Sequence, residues 1–365
     1  MDKLWWTTIP SAGKFAEDIA EVLINGKSVV YTVDRNLPWS LSFSEVLSSK
    51  IEGSDKGVDI FYSDEIDQAS PGEFIFKKYC KPELKAKYRS AMSYERFLAL
   101  NYSSTVLVNK YIYIRNCNKA AAELWTDFIC KYNSNIGKDG SGCSFIIENC
   151  SEYMPNCGVA NFQWSNYYHR YDISMLCLLK SSEIKANDLI KSYMAELACT
   201  LSDNDAELAA ELVSTGIALI DDTEKTMKKV VETRSRSDGS VYTMPDNIAT
   251  YIKEVQVKIF YPVIERYRTW FINENIEQFT SDFRYTTSYG DEITDCHDLE
   301  LGDLVYLCYN FKLNVSSDSF RELKSFHNYR NNLAHRSLLS PDDIRKLSDY
   351  SFGDCAAKSR SLCYS

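Results

Sequence analysis

Ser28-Val-Val-Tyr-Thr-Val33 and Cys143-Ser-Phe-Ile-Ile147 are short apolar runs rich in β-branched and aromatic residues. Between them, Ala120-Ala-Ala-Glu-Leu-Trp-Thr-Asp-Phe-Ile-Cys-Lys-Tyr132 repeats its apolar residues at helical spacing through Ala122, Leu124, Trp125, Phe128 and Ile129. Short apolar runs of this kind read as strands buried on both faces, and their alternation with amphipathic helices is the pattern of a parallel sheet covered by helices. Val58 to Tyr62, Thr105 to Ile114 and Tyr171 to Leu179 extend the strand series, and Phe15 to Ile24 supplies a further helix.

Beyond Ser181 the strand signal stops, and helical patterns run over Asn187 to Leu201, Asp205 to Val230 and Ile248 to Phe279. The expected architecture is an α/β N-terminal domain, mainly parallel sheet with flanking helices, over 1–181, then an all-α C-terminal domain over 182–365. At roughly 150 residues per domain, a chain of 365 residues fits two. The polar run Glu232-Thr-Arg-Ser-Arg-Ser-Asp-Gly-Ser240, followed by Pro245, is expected as an exposed loop, having little apolar area to offset its ordering entropy.

Composition excludes several classes. With 45% hydrophobic and 25% charged residues the chain is globular rather than disordered. A net charge of −10 excludes a general polyanion-binding surface, so any nucleic-acid site must be local. No stretch approaches the roughly 18 apolar residues of a membrane helix. Twelve cysteines behind a start, Met1-Asp2-Lys3-Leu4-Trp5-Trp6, that lacks a signal-peptide pattern lead to an expected cytoplasmic, reducing location. There is no Cys-x-x-Cys pair; Cys143, Cys150 and Cys157 are widely spaced, and only four histidines are present, so buried thiols and no metal are expected. His297 beside Cys296 is the weaker metal candidate, and His169 is expected to pack among aromatic rings.

Two segments of the first half touch on phosphate chemistry. Ile9-Pro-Ser-Ala-Gly-Lys14 precedes a helix, but a phosphate-binding loop requires Gly-x-x-x-x-Gly-Lys-Ser/Thr, and here Thr8 and Phe15 replace the first glycine and the hydroxyl. Together with the strands Ser28 to Asp34 and Cys143 to Glu148, the segment resembles a degenerate P-loop-type NTPase domain. That resemblance implies a nucleotide held at a helix N-terminus by Gly13 and Lys14, with Glu148 as water activator. The carboxylates Asp34, Glu65, Glu148 and Asp172 near strand ends are those a metal-dependent site would have to gather; single carboxylates there are equally helix caps.

The densest constellation is Phe326-His-Asn-Tyr-Arg-Asn-Asn-Leu-Ala-His335. Phe320, Leu323, Phe326 or Tyr329, and Leu333 form one helical stripe, and Arg330 falls off it. Ser340-Pro-Asp-Asp343 then starts a new helix with an N-cap serine, proline at the first position and a carboxylate able to cap back. From Arg321 to Lys346 six basic residues (Arg321, Lys324, Arg330, Arg336, Arg345, Lys346) face three acidic ones (Glu322, Asp342, Asp343), a positive segment on an acidic chain. An arginine can hold a phosphate bidentately, a histidine beside it can accept a proton, and Asn331 can hydrogen-bond phosphate or ribose.

Tyr-Arg-Asn-Asn-Leu-Ala-His, a turn and a Ser-Pro-Asp-Asp helix start resemble the signature of the HEPN superfamily, over about residues 285–350. The resemblance implies a metal-independent endoribonuclease needing no cofactor for cleavage, usually a homodimer whose two motifs share one cleft. Arg330 and His335 would be the catalytic pair with Asn331 beside them, and Arg336, Tyr329 and Lys324 the neighbouring RNA contacts. Arg321 to His327 satisfies a looser form of the motif without the following turn and helix start. A regulated toxin or antiviral defence effector is the expected context. The alternative is a noncatalytic interaction subunit of a larger ATPase or nucleic-acid-associated defence complex. Tyr167 and Tyr168, if exposed, are further base-stacking candidates.

Overall fold

The computed structural model describes residues 2–33, 37–51, 56–66, 70–136, 142–151, 158–287, 290–335 and 337–350. The chain divides into two compact units, Met1–Leu176 with Ser235–Ser240, and Cys177–Arg234 with Val241–Ser365.

The first unit is built on five parallel strands, β1 (Val29–Thr32), β2 (Gly57–Tyr62), β3 (Lys110–Cys117), β4 (Ser144–Asn149) and β5 (Ala160–Gln163), in the order β2-β3-β4-β1-β5. Its helices are α1 (Asp2–Thr8), α2 (Pro10–Ile24), α3 (Ser40–Ile51), α4 (Pro71–Tyr79), α5 (Pro82–Lys85), α6 (Tyr94–Leu100) and α7 (Lys119–Ile136); α8 (Arg170–Ser181) leads out of the unit. β1 and β4 are buried along their whole length, as interior strands must be, whereas the edge strands β2 and β5 are only partly covered. The two-residue alternation divides the sheet's side chains. Val30, Ile112, Ile114, Phe145 and Ile147 join Trp125, Phe128 and Ile129 of α7 in one core. Tyr31 and Tyr113 point to the other face, where Tyr31 meets Phe15 of α2 and Phe43 of α3, within an aromatic cluster that includes Trp5, Trp6 and Trp164.

Two expectations are corrected here. Tyr171 to Leu179 is not a strand but the body of α8, whose buried residues Ile173, Leu176, Cys177 and Lys180 follow helical spacing. The fifth strand is instead Ala160–Gln163, a four-residue edge segment completed by pairing with β1. The third strand also begins later than Thr105, after two short 3-10 turns.

The second unit is helical: α9 (Asp188–Leu201), α10 (Ala206–Ser214), α11 (Ala218–Asp221), α12 (Thr223–Thr233), α13 (Ile248–Glu274), α14 (Leu301–Tyr309), α15 (Ser317–Ala334) and α16 (Pro341–Asp349), with a small hairpin of β6 (Tyr285–Thr286) and β7 (Glu292–Ile293). α15 buries Leu323, Phe326, Tyr329 and Leu333, and Phe326 stacks on Tyr267 of α13 with centroids 3.6 Å apart. Ser340 caps α16 through the reciprocal Ser340–Asp343 box. No described helix is long and apolar enough to cross a membrane. Eight of the described cysteines are free thiols, and Cys130 is disulfide-bonded. The Ser/Arg/Gly run is an exposed loop, as expected, and closes in a turn: Arg236 N–H donates to Ser240 O, Gly239 N–H donates to Arg236 O, and Gly239 takes φ 85°.

Candidate active site

α15 presents His327, Arg330 and Asn331 at positions i, i+3 and i+4, one face of a helix. His327 and Arg330 line a cavity of about 730 Å³, together with Gly302 and Tyr306 of α14, Tyr285 and Thr286 of β6, and the carboxylates Asp291, Asp298, Glu300 and Asp303. Asn331 Nδ2 and His327 Nε2 are 3.1 Å apart, which fixes the imidazole ring. Gly302 faces that ring closely, since a Cβ built there would stand 3.4 Å from His327 Nε2. Burial, and then the Arg330 charge, push the His327 pKa below the usual imidazole value. Arg330 Nη2 donates to Glu300 at 3.3 Å, while its Nε is buried without a partner. That orphaned donor costs about 1–3 kcal/mol.

His335 stands elsewhere. It is the C-cap of α15, exposed, and does not line this cavity. Five residues on an α-helix rotate a side chain by about 140°, so an arginine inside the helix and a histidine at its cap do not share a face. The carbonyls flanking it are held from α13: Lys253 Nζ donates to Asn332 O at 2.6 Å and Ser337 O at 2.7 Å, and Gln256 brackets Leu339 through both its amide atoms. The cavity partner of Arg330 within one chain is therefore His327, three residues upstream; its signal was the i, i+3 spacing itself. Tyr329 is a core residue against Phe326 and offers no face to a base. Lys324 is exposed and lies over the Phe320 ring. Arg336 lies outside the described residues.

In the first unit Gly13 and Lys14 line a cavity of about 640 Å³ but are not arranged as a P-loop. A P-loop joins a strand to a helix, but Gly13 and Lys14 lie inside α2, which follows α1; the Gly13 N–H is spent on Ile9 O, and Lys14 pairs with Asp18 at 2.6 Å. Glu148 lines a different cavity from the one they line. It is buried at the end of β4, accepting from Tyr31 Oη at 2.6 Å, Tyr113 Oη at 3.2 Å, Arg115 Nε at 3.2 Å and the Asn116 N–H at 3.3 Å. The four carboxylates do not gather either. Glu65 is exposed in the turn after β2, Asp172 caps α8 while accepting from Ser11, and Asp34 lies outside the described residues. Tyr167 donates to Asp18, Tyr168 stacks on Trp164, and His169 is exposed against Tyr171.

Asp295, Cys296 and His297 bring ligand atoms within 4.8 Å of one another, but the Asp295 carboxylate already accepts the His297 N–H and caps the short turn they form. Cys143 is buried, its thiol directed at backbone carbonyls.

No family model matches the chain, and no curated protein matches it. Among solved structures it is similar to two variants of the RuvB protein of Thermotoga maritima. They share 11% and 10% identity with TM-scores of 0.34 and 0.35, over 83% of this chain and 95% of each of theirs.

Proposed function

We propose that the second unit is a metal-independent endoribonuclease module of the kind its C-terminal sequence resembles, with the reacting phosphate held in the cavity on Arg330. The observation that carries this reading is one cavity wall that bears an arginine, paired among the described residues only with the exposed Glu300, and a histidine biased toward its neutral form. RNA is cut without metal when its own 2′-OH attacks the adjacent phosphorus. His327 takes the 2′ proton on Nε2, the 2′-hydroxyl displacing the Asn331 amide from that nitrogen, the 2′-oxygen bonds to phosphorus, and the bond to the 5′-oxygen breaks, that oxygen taking a proton from water. Arg330 faces the charge that develops on the non-bridging oxygens. Glu300, exposed and only 3.3 Å from the guanidinium, yields its place to the phosphate. The exposed His335 completes the reading as the residue a second copy would bring to a shared groove, in a regulated toxin or antiviral effector, while Asn331 holds the His327 ring.

A specific observation favours a second reading. Four carboxylates against one arginine and one neutral histidine give the cavity a negative balance, which suits a basic side chain of a protein partner better than a polyanion. In that case the module is a noncatalytic interaction subunit. The two readings separate in one assay: cleavage of labelled total RNA by the full chain against Arg330→Ala and Glu300→Gln. The nuclease reading expects the first to abolish cleavage and the second to raise it; the interaction reading expects no cleavage from any of them.

A further inference from the structure

We infer that the first unit holds a phosphate-bearing small molecule on Arg115, in a cavity at the carboxyl edge of its sheet. The reading is independent of the nuclease assignment. In the order β2-β3-β4-β1-β5, the chain leaves β1 toward β2 on one side and leaves β4 toward β5 on the other, although β1 and β4 are neighbours. Parallel sheets bind ligands outside the carboxyl ends of strands at such a divergence, because the two departing connections leave a crevice. A cavity of about 550 Å³ lies there, lined by Val33, Leu37, Leu41, Tyr62, Arg115 and Cys150, among others.

Arg115 is the chemical reason to place an anion in it. The residue is only 4% exposed, yet a single donor, Nε, is used, on Glu148. Its two terminal amino groups make no hydrogen bond to any described residue, and the side chain lines the cavity. The guanidinium plane is set by Tyr62 and Tyr113, whose ring centroids lie 5.5 and 5.8 Å from Cζ. Glu148 does not compete for those amino groups in a way that satisfies them, since its oxygens are occupied by Tyr31, Tyr113, Arg115 Nε and the Asn116 N–H. Two parallel donors on a pre-oriented fork match two oxygens of a phosphoryl group. Val33, Leu37 and Leu41 add an apolar wall to the cavity. Asp238, in the turn that packs with this unit, places a carboxylate at the same cavity and weakens anion binding from the rim.

The test uses the full chain and the exposed Cys150 thiol as a reporter of occupancy, by alkylation followed by peptide mapping. Pyrophosphate, AMP, ATP and adenosine are titrated as probes. Saturable protection of Cys150 by the phosphorylated probes and not by adenosine is expected, weakened about tenfold or more in Arg115→Gln, strengthened several-fold in Asp238→Asn, and unchanged in Lys14→Ala. Protection by pyrophosphate alone marks a free phosphate site, and protection by AMP or ATP alone a nucleotide site. Should Arg115→Gln lose its fold, Asp238→Asn decides, being exposed and outside the buried network. Failure of every phosphorylated probe to protect Cys150, protection by adenosine equal to that by AMP, or protection indifferent to Asp238→Asn would overturn the assignment.

Discussion

His327 and Arg330 stand one helical turn apart on α15 and line the same cavity, whereas His335, five residues beyond Arg330, caps the helix outside it. This arrangement orders the effects of three substitutions. His327→Ala and Arg330→Ala should each lower RNA cleavage by about 100-fold or more, the usual scale for loss of a general base or of a charge-stabilising donor. His335→Ala, at the helix cap and outside the cavity, should cost clearly less. Single-turnover cleavage rates of the three variants check the order.

The pH dependence of stability follows from the His327 environment. Its folded-state pKa lies below the unfolded value of 6.5, so between the two the unfolded chain binds the proton first. The stabilisation is complete above about pH 6.5 and is lost as pH falls through the lowered folded-state value. Melting temperature should therefore drop on acidification across that window more steeply in the native chain than in His327→Gln.

Removing carboxylates from the cavity should strengthen RNA binding. Glu300→Gln frees the Arg330 fork, and Asp298→Asn lowers the local repulsion. Each should tighten binding at low salt, with the gain shrinking as ionic strength rises. Filter binding over a salt series reads this directly.

Arg115 and Glu148 form a buried ion pair at 3.2 Å, which two tyrosines complete. Glu148→Ala leaves a buried, uncompensated guanidinium and should destabilise the first unit by about 3–5 kcal/mol, visible as an early transition in chemical denaturation. Double replacement by apolar residues of similar size should recover much of that loss.

Much of this fold is legible in the sequence, and the exceptions have physical causes. Val29 to Thr32 and Ser144 to Asn149 are buried on both faces, so their runs are continuous and readable. Tyr171 to Leu179 is equally continuous, yet helical. A short apolar run does not distinguish a strand from a buried helix, and the Asp172 cap that orders its start involves Ser11, 161 residues away. Ala160 to Gln163 is half-polar, and only its partner β1 makes it a strand. At the site, the helical stripe through Tyr329 and the Ser340 cap could be read from spacing, whereas the RNA contact that the resemblance implied for Tyr329 falls on a side chain buried in that stripe. Gly13 and Lys14 formed a plausible phosphate cradle only while the element before them was unknown; α1 occupies the place a strand would need. The Arg115–Glu148 pair joins β3 to β4 across 33 residues and has no local signature.

The most direct test of the central claim, that the Arg330 and His327 cavity cleaves RNA through the substrate's own 2′-OH, uses an RNA oligonucleotide cut by the full chain in EDTA, beside the same oligonucleotide with a single 2′-deoxy residue at the scissile position. The account predicts cleavage of the first to a 2′,3′-cyclic phosphate and a 5′-hydroxyl, no cleavage of the second at that position, and loss of both products in Arg330→Ala. Cleavage of the deoxy-substituted strand at that position, abolition of activity by EDTA, or full activity in Arg330→Ala would contradict it.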